Sequence, residues 1–168
     1  MSNKAFQSVQ ALRPGLSVFD LSYTKTFTCD MGQLIPIMAD EMVPGDVFKI
    51  GNQSVIRFQP LVAPILHEIN AYVHYFFVPY RLLWSNWESF ISGGLDGSDV
   101  SVPPVVAVTA KDIGSVDDYL GFPTGVTLTP NTQYSAFPRY AYNLIYNEYY
   151  RDETLQMEAA LADGVIIS

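Results

Sequence analysis

Three carboxylates in one short corner of the chain are the residues best placed for catalysis. Asp40, Glu41 and Asp46 flank Pro44-Gly45 within the stretch 32–50. Two neighbouring carboxylates could perform general acid–base or glycosidase chemistry, or bind Ca²⁺. The spacing lacks the alternating oxygen ligands and the glycine of a calcium loop. Because Pro-Gly is a strong turn signal, the sequence favours a solvated turn whose acidic residues cap backbone groups.

Other side chains that bind metals or act as nucleophiles are sparse. His67 and His74 are seven residues apart, which suits neither a helical nor a strand pair of metal ligands. Cys29 is the only cysteine in the sequence, so an internal disulfide or a zinc site built on cysteine pairs is excluded. The sequence contains no glycine-rich phosphate loop and no nucleophile elbow. We therefore predict no catalytic residue, no metal site and no cofactor.

Composition and charge narrow the class of protein further. The chain has 168 residues, 49 % of them hydrophobic, which is enough for one domain with a core and too apolar for a disordered chain. The net charge of −8 arises entirely after residue 60, from four basic and twelve acidic residues. Since nucleic-acid binding relies on Lys and Arg, most of the chain is predicted to be a poor nucleic-acid surface. The apolar runs are too short to span a bilayer and residues 1–15 lack the core of a signal peptide, so we expect neither membrane insertion nor export.

The elements that must position these residues look β-rich in the first half of the chain. Segments rich in Thr, Val and aromatic residues predict strands at 23–28, 34–38, 47–58 and 69–78. The last of these is apolar on both faces, which is typical of a strand that is covered on both sides.

The second half looks helical and loop-rich. Periodic apolar residues predict helices at 82–92 and 140–150, and more weakly at 153–162, with a loop-rich insertion at 93–136 between the first two. Within the insertion, 105–108 could be a strand and 115–120 a helical turn. A new apolar run begins at 165, which suggests the N-terminal portion of a longer polypeptide. Bulky aromatic side chains on the first two helices are candidates for core packing or subunit contacts: Trp84, Trp87, Phe90, Tyr140, Tyr146 and Tyr149.

Three motifs, in this order, resemble the major capsid proteins of microviruses, especially the gokushovirus-like branch. The first comprises Phe19-Asp20-Leu21-Ser22 and GQLIPIMADEMVPGDVFKI, the second is YFFVPYRLLWSNWESFI, and the third is RYAYNLIYNEYYRDE. Together they cover most of 19–156, and the departures fall in 93–136.

The resemblance implies a mainly β fold with inserted helices, the eight-stranded antiparallel viral jelly roll, of which this chain would supply the first strands and the first insertion. Residues 1–18 would be an N-terminal arm, 19–80 the first strands, and 81–168 the inserted helical and loop region. The implied function is that of a non-enzymatic subunit of a T=1 icosahedral bacteriophage shell, assembled in the host cytoplasm. Its partners would be other copies of the same protein, with packaged single-stranded DNA contacted through other parts of the chain. The host receptor is not indicated.

Two other functions are compatible with the residues alone. A carbohydrate-binding β-module would use exposed Trp and Tyr side chains as sugar platforms. A carboxylate-based hydrolase would need the acidic residues of the 40–46 corner in a cleft.

Overall fold

The computed structural model describes residues 15–106, 112–127 and 133–162. Within these ranges the regular elements are four short α-helices followed by one π-helix. The α-helices are α1 (Tyr80–Leu83), α2 (Trp87–Ser92), α3 (Val116–Tyr119) and α4 (Phe137–Ile145), and the π-helix is Tyr146–Tyr150. None of the helices in the described part is long and apolar enough to cross a membrane.

The helix predicted over 82–92 is present as two pieces. Pro79 lies at the N-terminal cap of α1, and Trp84 ends that helix with an extended backbone (φ −148°, ψ 118°). The chain resumes as α2 at Trp87, which donates its backbone N–H to the Trp84 carbonyl at 3.1 Å. Gly93 then ends α2 in the left-handed conformation (φ 81°), as the Gly-Gly signal predicts.

Within the described residues, α3, α4 and the π-helix supply most of the core. α4 begins with Pro at its second position, where the missing N–H does no harm, and continues directly into the π-helix. The helical prediction for 140–150 is therefore correct in place. The buried apolar side chains come almost entirely from residues beyond 100: Leu83, Val106, Val116, Tyr119, Ala136, Phe137, Tyr142 and Tyr146.

The prediction of a mainly β jelly roll is wrong for this structure. Among the described residues there is no strand ladder, and the only β pairing is one isolated antiparallel bridge between Val105 and Ser135. Residues 23–28, 34–38, 47–58 and 69–78 carry no regular secondary structure. Alternation and β-branched side chains favour a pleated, half-buried surface, but they do not supply the neighbouring backbone that a strand must pair with.

The helical half of the described chain is residues 80–162, and the first segment is residues 15–79. Side chains from the helical half bind part of the first segment where a sheet was expected. The Tyr119 hydroxyl donates to the Thr28 carbonyl at 2.8 Å, and the Tyr142 hydroxyl donates to the Leu34 carbonyl at 2.9 Å. Carbonyl groups that would have joined a ladder are thus satisfied by tyrosines.

Lys25 makes three hydrogen bonds of this kind from one side chain. Its ammonium donates to the carbonyls of Pro36 (3.3 Å), Ile37 (3.1 Å) and Tyr119. A flexible side chain with three donors thereby joins two parts of the first segment to the end of α3.

The remaining predictions for individual segments divide three ways. The helical turn at 115–120 is confirmed as α3, whose N-terminal Ser115 side chain accepts the Asp118 N–H. The weak helical prediction for 153–162 is wrong, because this segment contains only turns and irregular backbone. Residues 1–14 of the predicted arm, 107–108 of the predicted strand and the apolar run 165–168 lie outside the described residues.

Candidate functional site

The first aromatic group surrounds Phe137, at the start of α4. Tyr80 stacks on the Phe137 ring with centroids 4.4 Å apart, and Trp87 meets both rings edge-on, at 4.7 Å from Tyr80 and 6.0 Å from Phe137. Trp84 lies 6.4 Å from Phe137, and Phe90 lies 5.7 Å from Trp84 and 6.0 Å from Trp87. Offset and edge-to-face contacts of this kind add to the free energy gained from burial alone.

This Phe137 group joins three of the predicted packing residues. Trp84 and Trp87 are half-buried, and Phe90 remains exposed at the margin. Tyr80 and Phe137 complete the group, although the periodicity of 82–92 and 140–150 did not select them. The signals that could have found them are their positions next to Pro79 and Pro138, where helices begin.

Tyr80 also connects the Phe137 group to the acidic corner. Burial, with the Glu41 carboxylate close by, raises the pKa of Tyr80 above its ordinary value. A phenol in this setting stays neutral at physiological pH. Glu41, which is itself exposed, therefore lies near the Tyr80 hydroxyl at the edge of the aromatic group.

The second aromatic group joins residues 72–76 to the π-helix. The Phe76 ring lies 4.9 Å from Tyr149 and 6.3 Å from Tyr150, while His74 stacks on Tyr150 at 6.0 Å and its Nδ1 hydrogen-bonds the Tyr150 hydroxyl. These side chains line an open cleft of about 520 Å³. Tyr149 is 70 % exposed, so this group is a surface feature.

The other two predicted tyrosines face the protein interior to different degrees. Tyr146 is buried and donates its hydroxyl to the Gln156 side-chain oxygen at 2.7 Å. Tyr140 is half-buried in α4. The six predicted residues thus fall into three places: the Phe137 group, the interior face of the helical unit, and the exposed cleft.

The three carboxylates of the acidic corner do not form a joint site. Asp46 accepts the Val43 N–H at 3.2 Å and returns its own N–H to the Val43 carbonyl, which closes the predicted turn with Gly45 at φ 98°. Asp40 lines a pocket to which Glu41 and Asp46 do not contribute. It helps to raise the pKa of Tyr23, although burial is the larger cause of that shift. Over the described ranges, no cluster of three metal-binding side chains occurs.

The described surface is unusually apolar. Many large hydrophobic side chains of the first segment are exposed, among them Val47, Val55, Val62, Leu66 and Phe77. Since soluble monomers rarely expose large contiguous apolar patches, exposed side chains of this kind are typical of a surface that further protein covers.

Comparison with known proteins identifies the family. A family model described as capsid protein (F protein) matches residues 5–165. The chain belongs to this family of phage capsid proteins. The microvirus capsid resemblance predicted from the three motifs is thereby confirmed.

The capsid relatives agree with this assignment. The chain is 43 % identical over 166 residues to capsid protein VP1 of Chlamydia phage 1, and 33 % identical over 164 residues to capsid protein VP1 of Bdellovibrio phage phiMH2K. Capsid protein VP1 of Spiroplasma virus 4 is 29 % identical over 137 residues. These alignments cover 93 %, 95 % and 79 % of this chain, but only 27 %, 30 % and 24 % of the respective relatives. The chain therefore spans less than a third of the length of the curated capsid proteins it matches.

Proposed function

We propose that this chain forms part of the subunit of a bacteriophage capsid, and that it acts structurally rather than catalytically. Its partners are other copies of the capsid protein, and its place is the virion shell. The observation that carries the proposal is the match of residues 5–165 to the capsid protein family. The small icosahedral T=1 shell around single-stranded DNA is the form of assembly that the family resemblance implies.

The exposed apolar surface supports an assembled state. Shell subunits bury their surfaces against neighbours through contacts that symmetry repeats, and such contacts use aromatic side chains as anchors. Tyr149 and Phe77 are 70 % and 75 % exposed in the isolated chain. Burial of these side chains between subunits would remove a surface that otherwise promotes aggregation.

A structural role also suits the separation of the acidic side chains. Glu41 lies near Tyr80, Asp46 closes a turn, and Asp40 lies near Tyr23. General acid–base catalysis requires groups that converge on one substrate atom, and these three carboxylates have separate local partners.

The packaged DNA is expected to meet parts of the capsid protein other than residues 61–168. This range carries twelve acidic and four basic residues, so its field repels phosphate. The assembly itself is expected to take place in the host cytoplasm.

A chimeric capsid protein tests the proposal directly. In the chimera, this chain replaces the matching 27 % of capsid protein VP1 of Chlamydia phage 1, to which it is 43 % identical. We expect the chimera to assemble into closed megadalton particles, visible by electron microscopy and by sedimentation.

The matched control is the same chimera with Trp87→Ala, which removes a ring from the Phe137 group and should lower the particle yield. A chimera that stays soluble and folded as a monomer, under conditions in which the parent VP1 assembles, would contradict the proposal.

A further inference from the structure

One face of the helical unit 137–150 carries a polar ladder that binds another part of the chain. Its members stand at every fourth position: Arg139, Asn143 and Asn147. All three are buried, which is unusual for side chains of these types. Such residues are normally retained in a protein interior only when hydrogen bonds satisfy them.

The partner of the ladder is the backbone of the irregular segment 156–162. Asn147 Nδ2 donates to the Ala159 carbonyl and Asn147 Oδ1 accepts the Ala159 N–H, both at 2.9 Å. Asn143 Nδ2 donates to the Leu161 carbonyl at 2.9 Å. Arg139 Nη1 donates to the Ala162 carbonyl at 3.1 Å. Every one of these contacts ends on a main-chain atom, so the ladder recognises the path of the backbone and not its side chains.

A buried carboxylate from α3 orients the first rung of the ladder. Asp117 accepts from Arg139 Nε at 2.8 Å through one carboxylate oxygen and from Arg139 Nη2 through the other. This two-point ion pair fixes the plane of the guanidinium and leaves Nη1 aimed at the segment. The donor is thus pre-organised before the segment binds.

Gln156 is the point at which a side chain of the segment is recognised. Its Oε1 accepts the Tyr146 hydroxyl at 2.7 Å and the Asp152 N–H at 3.2 Å. Its carbonyl accepts Arg151 Nη1 at 3.3 Å. By contrast, Leu155 and Met157 on either side are 83 % and 93 % exposed.

We propose that Arg139, Asn143 and Asn147 form a docking face for a non-helical peptide backbone, and that segment 156–162 is its built-in occupant. The segment acts as a strap: one glutamine sets its register, and the ladder then holds it by main-chain hydrogen bonds. Because Ala159 is half-buried where Asn147 binds its backbone, the face suits a glutamine with a small residue three positions later. The strap can be detached and replaced while the helical unit stays folded.

Rescue with a separate peptide tests the proposal. Ala159→Pro in the full chain removes the N–H that Asn147 accepts and should detach the strap. A fluorescein-labelled peptide of the sequence 155–162 should then bind this variant, as measured by fluorescence anisotropy. It should bind the unaltered chain at least tenfold more weakly, since the tethered strap competes at high effective concentration.

Matched variants distinguish docking at this face from non-specific binding of the peptide. In the Ala159→Pro chain, Asn147→Ala should weaken peptide binding at least tenfold, whereas Asn86→Ala, an exposed asparagine outside the ladder, should leave it unchanged. A Gln156→Ala peptide should bind more weakly than the parent peptide, and a Met157→Ser peptide should bind equally well. Equal binding to the Asn147→Ala and Asn86→Ala chains, or no binding at millimolar peptide to a folded Ala159→Pro chain, overturns the proposal.

Hydrogen exchange supplies a readout that does not need the proline variant. Asn147→Ala alone should speed exchange of the Ala159 amide at least tenfold and leave amide exchange within α4 unchanged. An Ala159 amide that keeps its protection, or a loss of protection that extends equally through α4, would rule out a separable strap.

Discussion

Single polar side chains bind backbone carbonyls of residues 28–37, where sheet pairing was expected. Lys25 illustrates how this works, because its ammonium binds three carbonyls that belong to two distant parts of the chain. Burial lowers the pKa of Lys25, and nearby Asp118 partly opposes this effect. Hydrogen bonds from a charged donor in such a setting are stronger than those between neutral groups.

Substitution of Lys25 should therefore loosen the attachment of the first segment. In Lys25→Met the side chain keeps its approximate length and loses all three donors, so the carbonyls of Pro36, Ile37 and Tyr119 lose a partner. We expect the free energy of unfolding in urea to fall by about 1–3 kcal/mol. Lys49→Met, at an exposed position, is the control and should change it by less than about 0.5 kcal/mol. Equal effects of the two substitutions would show that the Lys25 contacts do not stabilise the fold.

Because of three tyrosines, the stability of the fold should depend on pH in the alkaline range. Burial is the main cause that raises the pKa of Tyr23, Tyr80 and Tyr119 above the ordinary value of 10.0. Below pH 10 these phenols are neutral in both the folded and the unfolded chain, so their contribution is fully present. Above pH 10 the unfolded chain ionises first, and the stability should decline as pH rises towards the folded-state pKa values.

Absorbance at 295 nm, followed during an alkaline titration, measures this dependence. We expect a fraction of the tyrosines to ionise late, together with the loss of folded structure by circular dichroism. Tyr80→Phe should reduce the late fraction. Ionisation of all tyrosines near pH 10, with the fold intact, would contradict the raised pKa values of these three groups.

At the scale of elements, the sequence predicts helices better than strands. Apolar periodicity located the helical unit 137–150 and the α1–α2 region, because a helix satisfies its own backbone and needs only one apolar face. A strand needs a partner that periodicity cannot name, and the predicted strands at 34–38 and 69–78 are bound through side chains instead. The helical prediction for 153–162, which contains the strap 156–162, fails for a related reason, since the buried ladder that holds the strap belongs to another segment.

At the same scale, the sequence identifies some residues of the candidate site but not their partner. Trp84, Trp87 and Phe90 are adjacent on a predicted helix, and the structure brings them together around Phe137. Phe137 lies about 50 positions further along the chain, so local spacing could not pair it with them. The residue types indicated packing, but only the tertiary contacts identify the partner.

Removal of one ring tests whether the Phe137 group stabilises these helices. Trp87→Ala deletes contacts to Tyr80, Phe90 and Phe137, and because Trp87 is half-buried we expect a loss of about 2–3 kcal/mol in the free energy of unfolding. Ile91→Ala, an exposed position on the same helix α2, should cost less than about 0.5 kcal/mol. If the two variants unfold at the same urea concentration, the aromatic contacts do not support the fold.

At the scale of the whole molecule, the two halves of the described chain differ in how they bury apolar side chains. Its helical half buries a small core, while the first segment presents apolar side chains to solvent. A monomer with this surface would associate non-specifically. We propose that assembly of the capsid protein buries this surface, so that the hydrophobic effect would favour subunit association.

Oxidative footprinting can decide whether this surface is covered on assembly. Hydroxyl radicals should modify Tyr72 and Phe77, which are largely exposed, in the isolated chain. From the unassembled chimeric capsid protein to its particles, their modification should fall at least fivefold, because neighbouring subunits exclude solvent from these rings. Tyr146, which is 7 % exposed, serves as the internal control and should react slowly in both samples. If Tyr72 and Phe77 react equally fast in the unassembled capsid protein and in the particles, this surface does not form a subunit contact.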